Sequence, residues 1–281
     1  MKTSVAKVDI VKVDATGAGS KPDLVSVEEP LEMRLGYGHE ADRNKKSISI
    51  TMRTPGYDFE LALGFLFTEG IISSANDLND IRYCTEPENE EAIDNVVIVE
   101  LKPDVDVDLK KLERHFYTTS SCGVCGKASI EAVQNANCPV IPIQPNIVSA
   151  ALLHQLPGIL RAKQSVFEYT GGLHGCAFFN LEGELLLSRE DVGRHNALDK
   201  LIGAALATNK FDFFRAILML SGRISFELVQ KAAMSGTPIV AAVGAPSSLA
   251  VQSAHDLGIT LVGFLLDKRF NIYTHPERIT L

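Results

Sequence analysis

Hydrophobic and polar positions follow two rhythms along this chain. In the first third the rhythm is mostly two. VSVEEPLEMRLG (Val25–Gly36) and SISITMRT (Ser47–Thr54) alternate and are rich in β-branched residues, which predicts strands. Asp58 is placed to cap a helix over FELALGFLFTEG that ends at Gly70. IRYC and the valine-rich DNVVIVEL (Asp94–Leu101) read as further strands. Together these predict an α+β module over residues 25–112. Residues 1–24 alternate weakly, have Gly and Ser near their end, and read as a flexible tail. Residues 113–145 form a polar, glycine-rich cysteine loop, the short helix SIEAVQNA, and a connector, CPVIPIQP, too rich in proline for a central strand.

The second half has longer apolar runs. NIVSAALLHQLPGILRAKQ (Asn146–Gln164) has helical spacing, which Pro157 bends or breaks. SVFEYTGG and CAFFN read as strand-like, Leu181–Gly183 as a turn, and ELLLS as the returning strand. A helix over Gly193–Ala207 carries Ala197, Leu198, Leu201, Ile202 and Ala205 on one face. AILMLSG, TPIVAAV and ITLVGFLL are apolar strands separated by the helices SFELVQKAAMSG and PSSLAVQSAHDLG. Continuous apolar strands alternating with helices predict a buried parallel sheet with right-handed crossovers. The expectation for residues 146–281 is therefore an α/β domain. A hairpin feeding three parallel strands resembles the cytidine-deaminase type of three-layer α/β/α fold.

Composition narrows the class. At 281 residues the chain can bury a full core, and 46% hydrophobic with 22% charged residues is ordinary for a globular protein. No apolar run reaches the roughly 18 residues of a membrane span, and the first residues lack a secretory core. Five cysteines without a paired framework point to a reducing compartment, so the cytoplasm is the expected location. The net charge of −8 is uneven: residues 1–180 carry 17 Lys/Arg against 25 Asp/Glu, and 181–281 carry 10 of each. With no basic stripe, nucleic acid is not an expected partner.

The candidate chemistry centres on TTSSCGVCGKASIEAV (Thr118–Val133), which holds Cys122 and Cys125 in a Cys-x-x-Cys spacing. Gly123 and Gly126 leave the thiols little cover, and Lys127 with a helix starting near Ala128 favours thiolate. Three readings fit the spacing: half of a zinc site, a thioredoxin-type disulfide exchanger, or a carrier of persulfide sulfur. Zinc needs further ligands at recognisable spacing, and Cys84, Cys138 and Cys176 are single. Lone His39 and Cys84 read as structural. A zinc deaminase would need His-x-Glu and a following Pro-Cys-x-x-Cys. Here His174-Gly175-Cys176 has Cys where Glu would stand, and no Pro-Cys-x-x-Cys follows Ser221, so no catalytic zinc is expected.

Ligands of open α/β sheets collect beyond the carboxyl ends of the strands. Three strand-to-helix segments fall there: Glu190 to Asn196 with Arg194 and His195, Ser221-Gly222-Arg223, and Gly244-Ala245-Pro246-Ser247-Ser248. Exposed N–H groups at helix starts beside Arg and Ser favour phosphate, with plain helix capping as the alternative. The last strand runs into Asp267, Lys268 and Arg269, followed by Tyr273, Thr274 and His275. An acid there can accept from a guanine edge while Lys and Arg hold phosphates. His174 and Cys176 lie among Gly171, Gly172 and Gly175, which read equally as a tight turn or a ligand contact.

Several long motifs carry a family resemblance in order along the chain. They are ELALGFLFTEGII (Glu60–Ile72), TTSSCGVCGKASIEAV, YTGGLHGCAFF (Tyr169–Phe179), REDVGRHNALDKLIG (Arg189–Gly203), SGRISFELVQKAAMSGTPIVAAVGAPSSLAV (Ser221–Val251) and LVGFLLDKRFNIYTHPERI (Leu261–Ile279). With them the sequence resembles the FdhD family of formate dehydrogenase accessory sulfurtransferases. The resemblance implies a persulfide on Cys122, with Cys125 as second motif cysteine. It implies binding of the molybdenum cofactor that carries two molybdopterin guanine dinucleotides, for which a guanine nucleotide is a mimic. The segment carried over for that binding is Phe264, Leu265, Leu266, Asp267, Lys268 and Arg269, with Leu265 and Leu266 contributing backbone. A cysteine desulfurase as donor, a formate dehydrogenase as client and a homodimer are implied in the same way. The alternative is a chaperone that binds the cofactor without sulfur chemistry.

Overall fold

The computed structural model describes residues 3–85, 94–107, 138–145 and 147–281. Cys122 and Cys125 lie outside the described residues.

β1 (Val5–Asp14) and β2 (Gly17–Ser26) form an antiparallel hairpin. This corrects the reading of residues 1–24 as a flexible tail. The alternation of VAKVDIVKVD suffices for a strand once Asp14 to Gly17 turns the chain back. The ribbon is nevertheless mostly exposed, with Val11 and Val13 facing solvent. It is tied down by Ser4, whose hydroxyl donates to Pro55 O (3.1 Å), and by packing of β2 against a later helix.

β3 (Glu29–Tyr37) and β4 (Asn44–Arg53) follow, then α1 (Asp58–Thr68), β5 (Leu78–Tyr83) and β6 (Val96–Leu101). These strands make a sheet of order β4-β3-β6-β5, with β3 and β6 parallel. Leu31, Met33, Leu35, Val97 and Val99 bury one face against Leu61, Ala62 and Leu66 of α1. Asp58 does not cap this helix as expected. It stands one residue inside, and its carboxylate accepts from Arg53 (Nε 3.0 Å, Nη2 2.8 Å) and from the Tyr83 hydroxyl. A buried guanidinium outcompetes the helix's own N–H groups for a carboxylate.

The rest of the chain builds one layered unit. β7 (Val148–Ser149), α2 (Ala150–Leu153) and α3 (Leu156–Lys163) come first. The helical run breaks just before Pro157, as its missing N–H requires. α4 (Ser165–Thr170) replaces the strand expected over SVFEYTGG. The Val166 and Phe167 N–H groups both donate to the Glu190 carboxylate (3.1 Å each), a tertiary cap that overrides local strand propensity. Then come β8 (His174–Asn180), β9 (Leu185–Asp191), α5 (Arg194–Ala207), β10 (Ala216–Leu220), α6 (Phe226–Ser235), β11 (Ile239–Ala242), α7 (Ser248–Asp256), β12 (Thr260–Leu266), β13 (Arg269–Thr274) and β14 (Ile279–Thr280).

Among the described residues the larger sheet has the order β13-β12-β11-β10-β8-β9. β10, β11 and β12 are parallel, while the hairpin β8–β9 and the edge strand β13 are antiparallel. Alternate strand residues serve two cores. Phe178, Leu218, Val240 and Leu261 face α5, α6 and α7. Phe179, Met219, Ala241 and Val262 face α2 and α3. Both faces are thus covered, which explains the continuous apolar runs.

The two sheets are joined through helices. A Cβ added to Gly203 on α5 would stand 1.9 Å from Glu60 O on α1, and one on Gly64 would stand 1.9 Å from Asp199 O. Only glycine at both positions lets the two backbones approach this closely. Around the crossing, Lys200 pairs with Asp191 (2.6 Å), and Lys231 pairs with Asp199 and Glu69 (3.0 Å each). No helix among the described residues is long and apolar enough to cross a membrane.

Candidate functional site

The parallel strands end on one edge of the larger sheet, and the antiparallel β8 begins there. Four segments converge on it. Ser221 N–H donates to Gly175 O (2.9 Å), and the Ser221 hydroxyl accepts from Gly175 N–H (2.8 Å). Gly244 N–H donates to Gly222 O (3.0 Å), and Gly244 O accepts from Phe264 N–H (3.1 Å). The ends of β10, β11 and β12 are thereby laced to the start of β8. These bonds correct one expectation. The Ser221 and Gly244 amides serve the protein itself, and Ser247 N–H donates to Ile224 O (3.0 Å) while its hydroxyl caps Ala250. Phosphate has no claim on these donors.

A cationic cluster remains beside them. His174 opens β8, Arg194 and His195 form the first turn of α5, and Arg223 follows β10. Burial, then the charges of Arg194 and His195 and, more weakly, Arg223, hold the His174 imidazole below its ordinary pKa despite Asp191 nearby. His174 is accordingly a neutral ring at physiological pH. His195 Nε2 lies 3.2 Å from Ser225 Oγ and 3.8 Å from Glu227 Oε2. The imidazole so close to it pulls the Glu227 carboxyl down to about 2. Arg194 Nε is buried with no hydrogen-bond partner. The N-cap of α5, Gly193, offers no side chain to its helix.

Asp191, read from the sequence with its neighbours as part of a ligand edge, does something else. It is fully buried, receives the Lys200 ammonium, and accepts from Thr54 N–H (3.1 Å), Gly193 N–H (2.8 Å) and Asn196 Nδ2 (3.3 Å). Asp191 therefore holds the α5 entrance in place. Glu190 likewise is occupied with capping α4.

A cavity of about 450 Å³ opens next to the cluster. Leu160, Gln164 and Phe167 form one wall, and His174, Ser221 and Gly222 form another. Arg161 lies over the Phe167 ring with Cζ 4.1 Å from its centroid. The α3–α4 wall was not legible in the sequence. Leu160 and Gln164 end a run that reads as helical and Phe167 lies in one that reads as strand, so nothing local joins them into a wall or marks Gln164.

The β12–β13 segment falls apart into separate roles. Phe264 has a left-handed backbone (φ 53°) at an irregularity in the β12–β13 ladder and is exposed. Leu265 is fully buried against α2 and α3. Leu266 O accepts from His154 Nδ1 (2.8 Å), so its backbone acceptor is occupied. Asp267 and Lys268 form the tip of the hairpin, Arg269 starts β13, and all three are exposed. None of these six lines the cavity.

Two of the described cysteines, Cys138 and Cys176, are held as thiols. Burial pushes the Cys176 thiol far up, and the Cys138 thiol to about 11. At neutral pH neither is a thiolate, so neither is poised as nucleophile or metal ligand.

Comparison with known proteins agrees with this architecture. The model of the FdhD/NarQ family matches residues 28–280. A relative from Streptomyces coelicolor named "Sulfur carrier protein FdhD" is 48% identical over 97% of this chain and 94% of its own. One from Sulfolobus acidocaldarius with the same name is 41% identical over 99% of both chains. A crystal structure from Desulfotalea psychrophila, assigned as a formate dehydrogenase accessory protein, superposes with a TM-score of 0.74 over 99% of this chain and 100% of that one, at 24% identity. The fold is shared with that structure, and by the match over residues 28–280 the chain belongs to the FdhD/NarQ family.

Proposed function

We propose that this protein carries sulfur for the maturation of a formate dehydrogenase and delivers it to a bound molybdenum cofactor of the bis(molybdopterin guanine dinucleotide) type. The sulfur half rests on relatives at 41–48% identity that bear the name sulfur carrier protein, and on the Cys-x-x-Cys of this chain. The cofactor half rests on one structural observation. His174, Arg194, His195 and Arg223 gather at the strand-end edge beside a cavity, with Arg194 Nε buried and unpartnered. Arginine N–H groups in such a place suit the oxygens of a nucleotide's phosphates. The exposed Asp267, Lys268 and Arg269 provide a second polar contact region for so large a ligand.

The chemistry proceeds by transpersulfidation. Thiolate Cys122 attacks the outer sulfur of a cysteine desulfurase persulfide. A Cys122 S–S bond forms, and the desulfurase cysteine leaves as thiolate. Cys125 thiolate then attacks Cys122 Sγ, so a Cys122–Cys125 disulfide forms and the outer sulfur leaves as sulfide with the bonding pair. That sulfide is the species handed to molybdenum. A dithiol reductant returns the disulfide to two thiols for the next round. The reading places the protein in the cytoplasm, where thiols stay reduced, and pairs two copies of the chain around one bis-nucleotide ligand. The hairpin beside three parallel strands, covered by helices on both faces, supports reading the larger unit as a cytidine-deaminase-type fold put to another use.

The test is direct. Incubation with a cysteine desulfurase and L-cysteine, followed by intact-mass measurement, should add about one reductant-labile sulfur on the Cys122 peptide. Cys122→Ala should abolish the gain. Loading that persists in that variant would move the carrier role off Cys122, and no loading of the unaltered protein would leave a cofactor chaperone in its place.

A further inference from the structure

β1 and β2 stand apart from the larger sheets as a two-stranded ribbon. A ribbon of two strands is marginally stable by itself, and a third strand or a covering helix is the usual remedy. β2 has such cover, because it packs against α4. β1 pairs with β2 and with no other described strand. On it Val11 is 66% exposed.

The groups on the free edge of β1 follow from the ladder. Val27 N–H donates to Ser4 O (2.9 Å), and this pair continues the register in which Val5 faces Ser26. Antiparallel partners alternate between pairs that exchange hydrogen bonds and pairs that do not. The even-numbered residues of β1 therefore turn their N–H and C=O groups to β2. Val5, Lys7, Asp9 and Val11 turn theirs outward, and these groups have no backbone partner among the described residues.

The side chains on that edge have a second property. VAKVDIV (Val5–Val11) is its own antiparallel complement. Turned about Val8 onto a second copy, Val5 meets Val11, Ala6 meets Ile10, Lys7 meets Asp9, and Val8 meets itself. The pairs that must exchange hydrogen bonds in this register are Val5 with Val11 and Lys7 with Asp9. Those are the residues whose backbone groups point outward on both copies. Neighbouring registers fail. Centring on Lys7 or on Asp9 sets like charges directly opposite, and centring on Ile10 sets Val8 against Lys12.

We propose that β1 is a contact between two copies of this chain, paired antiparallel about Val8 so that two ribbons join into one four-stranded sheet. A lysine on an edge strand ordinarily keeps other strands away. Here Asp9 of the second copy stands opposite Lys7, so the charge selects this partner in this register. The contact uses the same surface on both copies, and the far edge of the ribbon lies with β2 against α4, so the assembly closes at two. The inference deepens the two-copy part of the proposed function and rests on it.

The full-length protein should sediment at equilibrium as a dimer. Lys7 and Asp9 are exposed, so both can be changed without touching a core. Lys7→Asp should weaken the dimer about tenfold, because the two-fold axis repeats the clash with Asp9. Asp9→Lys should weaken it about as much by setting lysines opposite each other. The double variant, Lys7→Asp with Asp9→Lys, should return to within about threefold of the unaltered protein, which damage to the ribbon would not allow. A dimer indifferent to both single changes, or a double variant no better than the singles, overturns the inference and leaves the copies to meet elsewhere. A monomer at every concentration overturns both the inference and the two-copy reading. Sulfur loading on Cys122 is measured separately and bears on neither.

Discussion

Lys231 lies 3.0 Å from Asp199 and from Glu69, and Lys200 lies 2.6 Å from Asp191, all where α1 meets α5 and α6. Beside the cavity, half-buried Arg194 and buried Gln164 each keep a buried nitrogen without a partner. The first region shows how this chain treats buried charge when the purpose is the fold. Burial pulls the Lys231 ammonium down, but its two carboxylates outweigh that and hold it above its ordinary pKa. Every charge has an opposite within reach, and glycines bring the backbones together. The same chain could have paired Arg194 and Gln164 by the same means. That it does not sets the cavity edge apart from the helix crossing.

The contrast can be tested from its hardest side first. Gly203→Val puts a branched side chain where even a Cβ meets Glu60 O at 1.9 Å. No folded protein should be recovered, as judged by gel filtration and circular dichroism, and a normal yield would mean that the helices are not in backbone contact. Lys231→Met should cost about 3–5 kcal/mol in urea denaturation, because it strands the buried Asp199 carboxylate. A loss under about 1 kcal/mol would place that pair among surface ion pairs. Arg194→Ala should reverse the balance. Its unfolding free energy should move by less than about 1 kcal/mol, while GDP affinity falls about ten- to a hundredfold. Equal loss of both would erase the distinction between the two regions.

The smallest effect concerns Glu227. The nearby His195 imidazole lowers its carboxyl from 4.5 to about 2, so the unfolded chain takes up a proton more readily than the folded one. The stability it adds is therefore complete above about pH 4.5 and fades as pH falls towards 2. Half the side chain is in water, which holds the contribution under about 1 kcal/mol. Glu227→Gln should melt below the unaltered protein at neutral pH and level with it near pH 2. A gap that persists at acid pH would show a packing effect instead.

Much of the larger sheet was legible because its signals are local. AILML, TPIVAAV and ITLVGFLL are apolar runs of strand length, and Pro157 announced its own break. The hairpin of residues 5–26 was missed because its strands are mostly exposed and its alternation competes with a polar composition. The site was legible only in outline. His174 and Arg194 stand next to glycines at strand ends, a pattern that sequence displays. Asp191 looked like one of them, but its partners come from residues 54 and 200, and pattern along the chain cannot show that. Gln164 was invisible for the same reason: its berth is made by Gly175, on a different element. The segment from Phe264 to Arg269 reads as one motif, yet its residues divide between core and hairpin tip.

The crossing of Gly64 and Gly203 also governs how the molecule comes apart. Parting the two sheets there uncovers the Lys231, Asp199 and Lys200 charges in the same motion, so no low-energy opening runs along that seam. Amide protons of α1 and α5 should accordingly be among the slowest to exchange with deuterated solvent, with protection close to that of global unfolding. Heating should release both sheets in a single calorimetric transition.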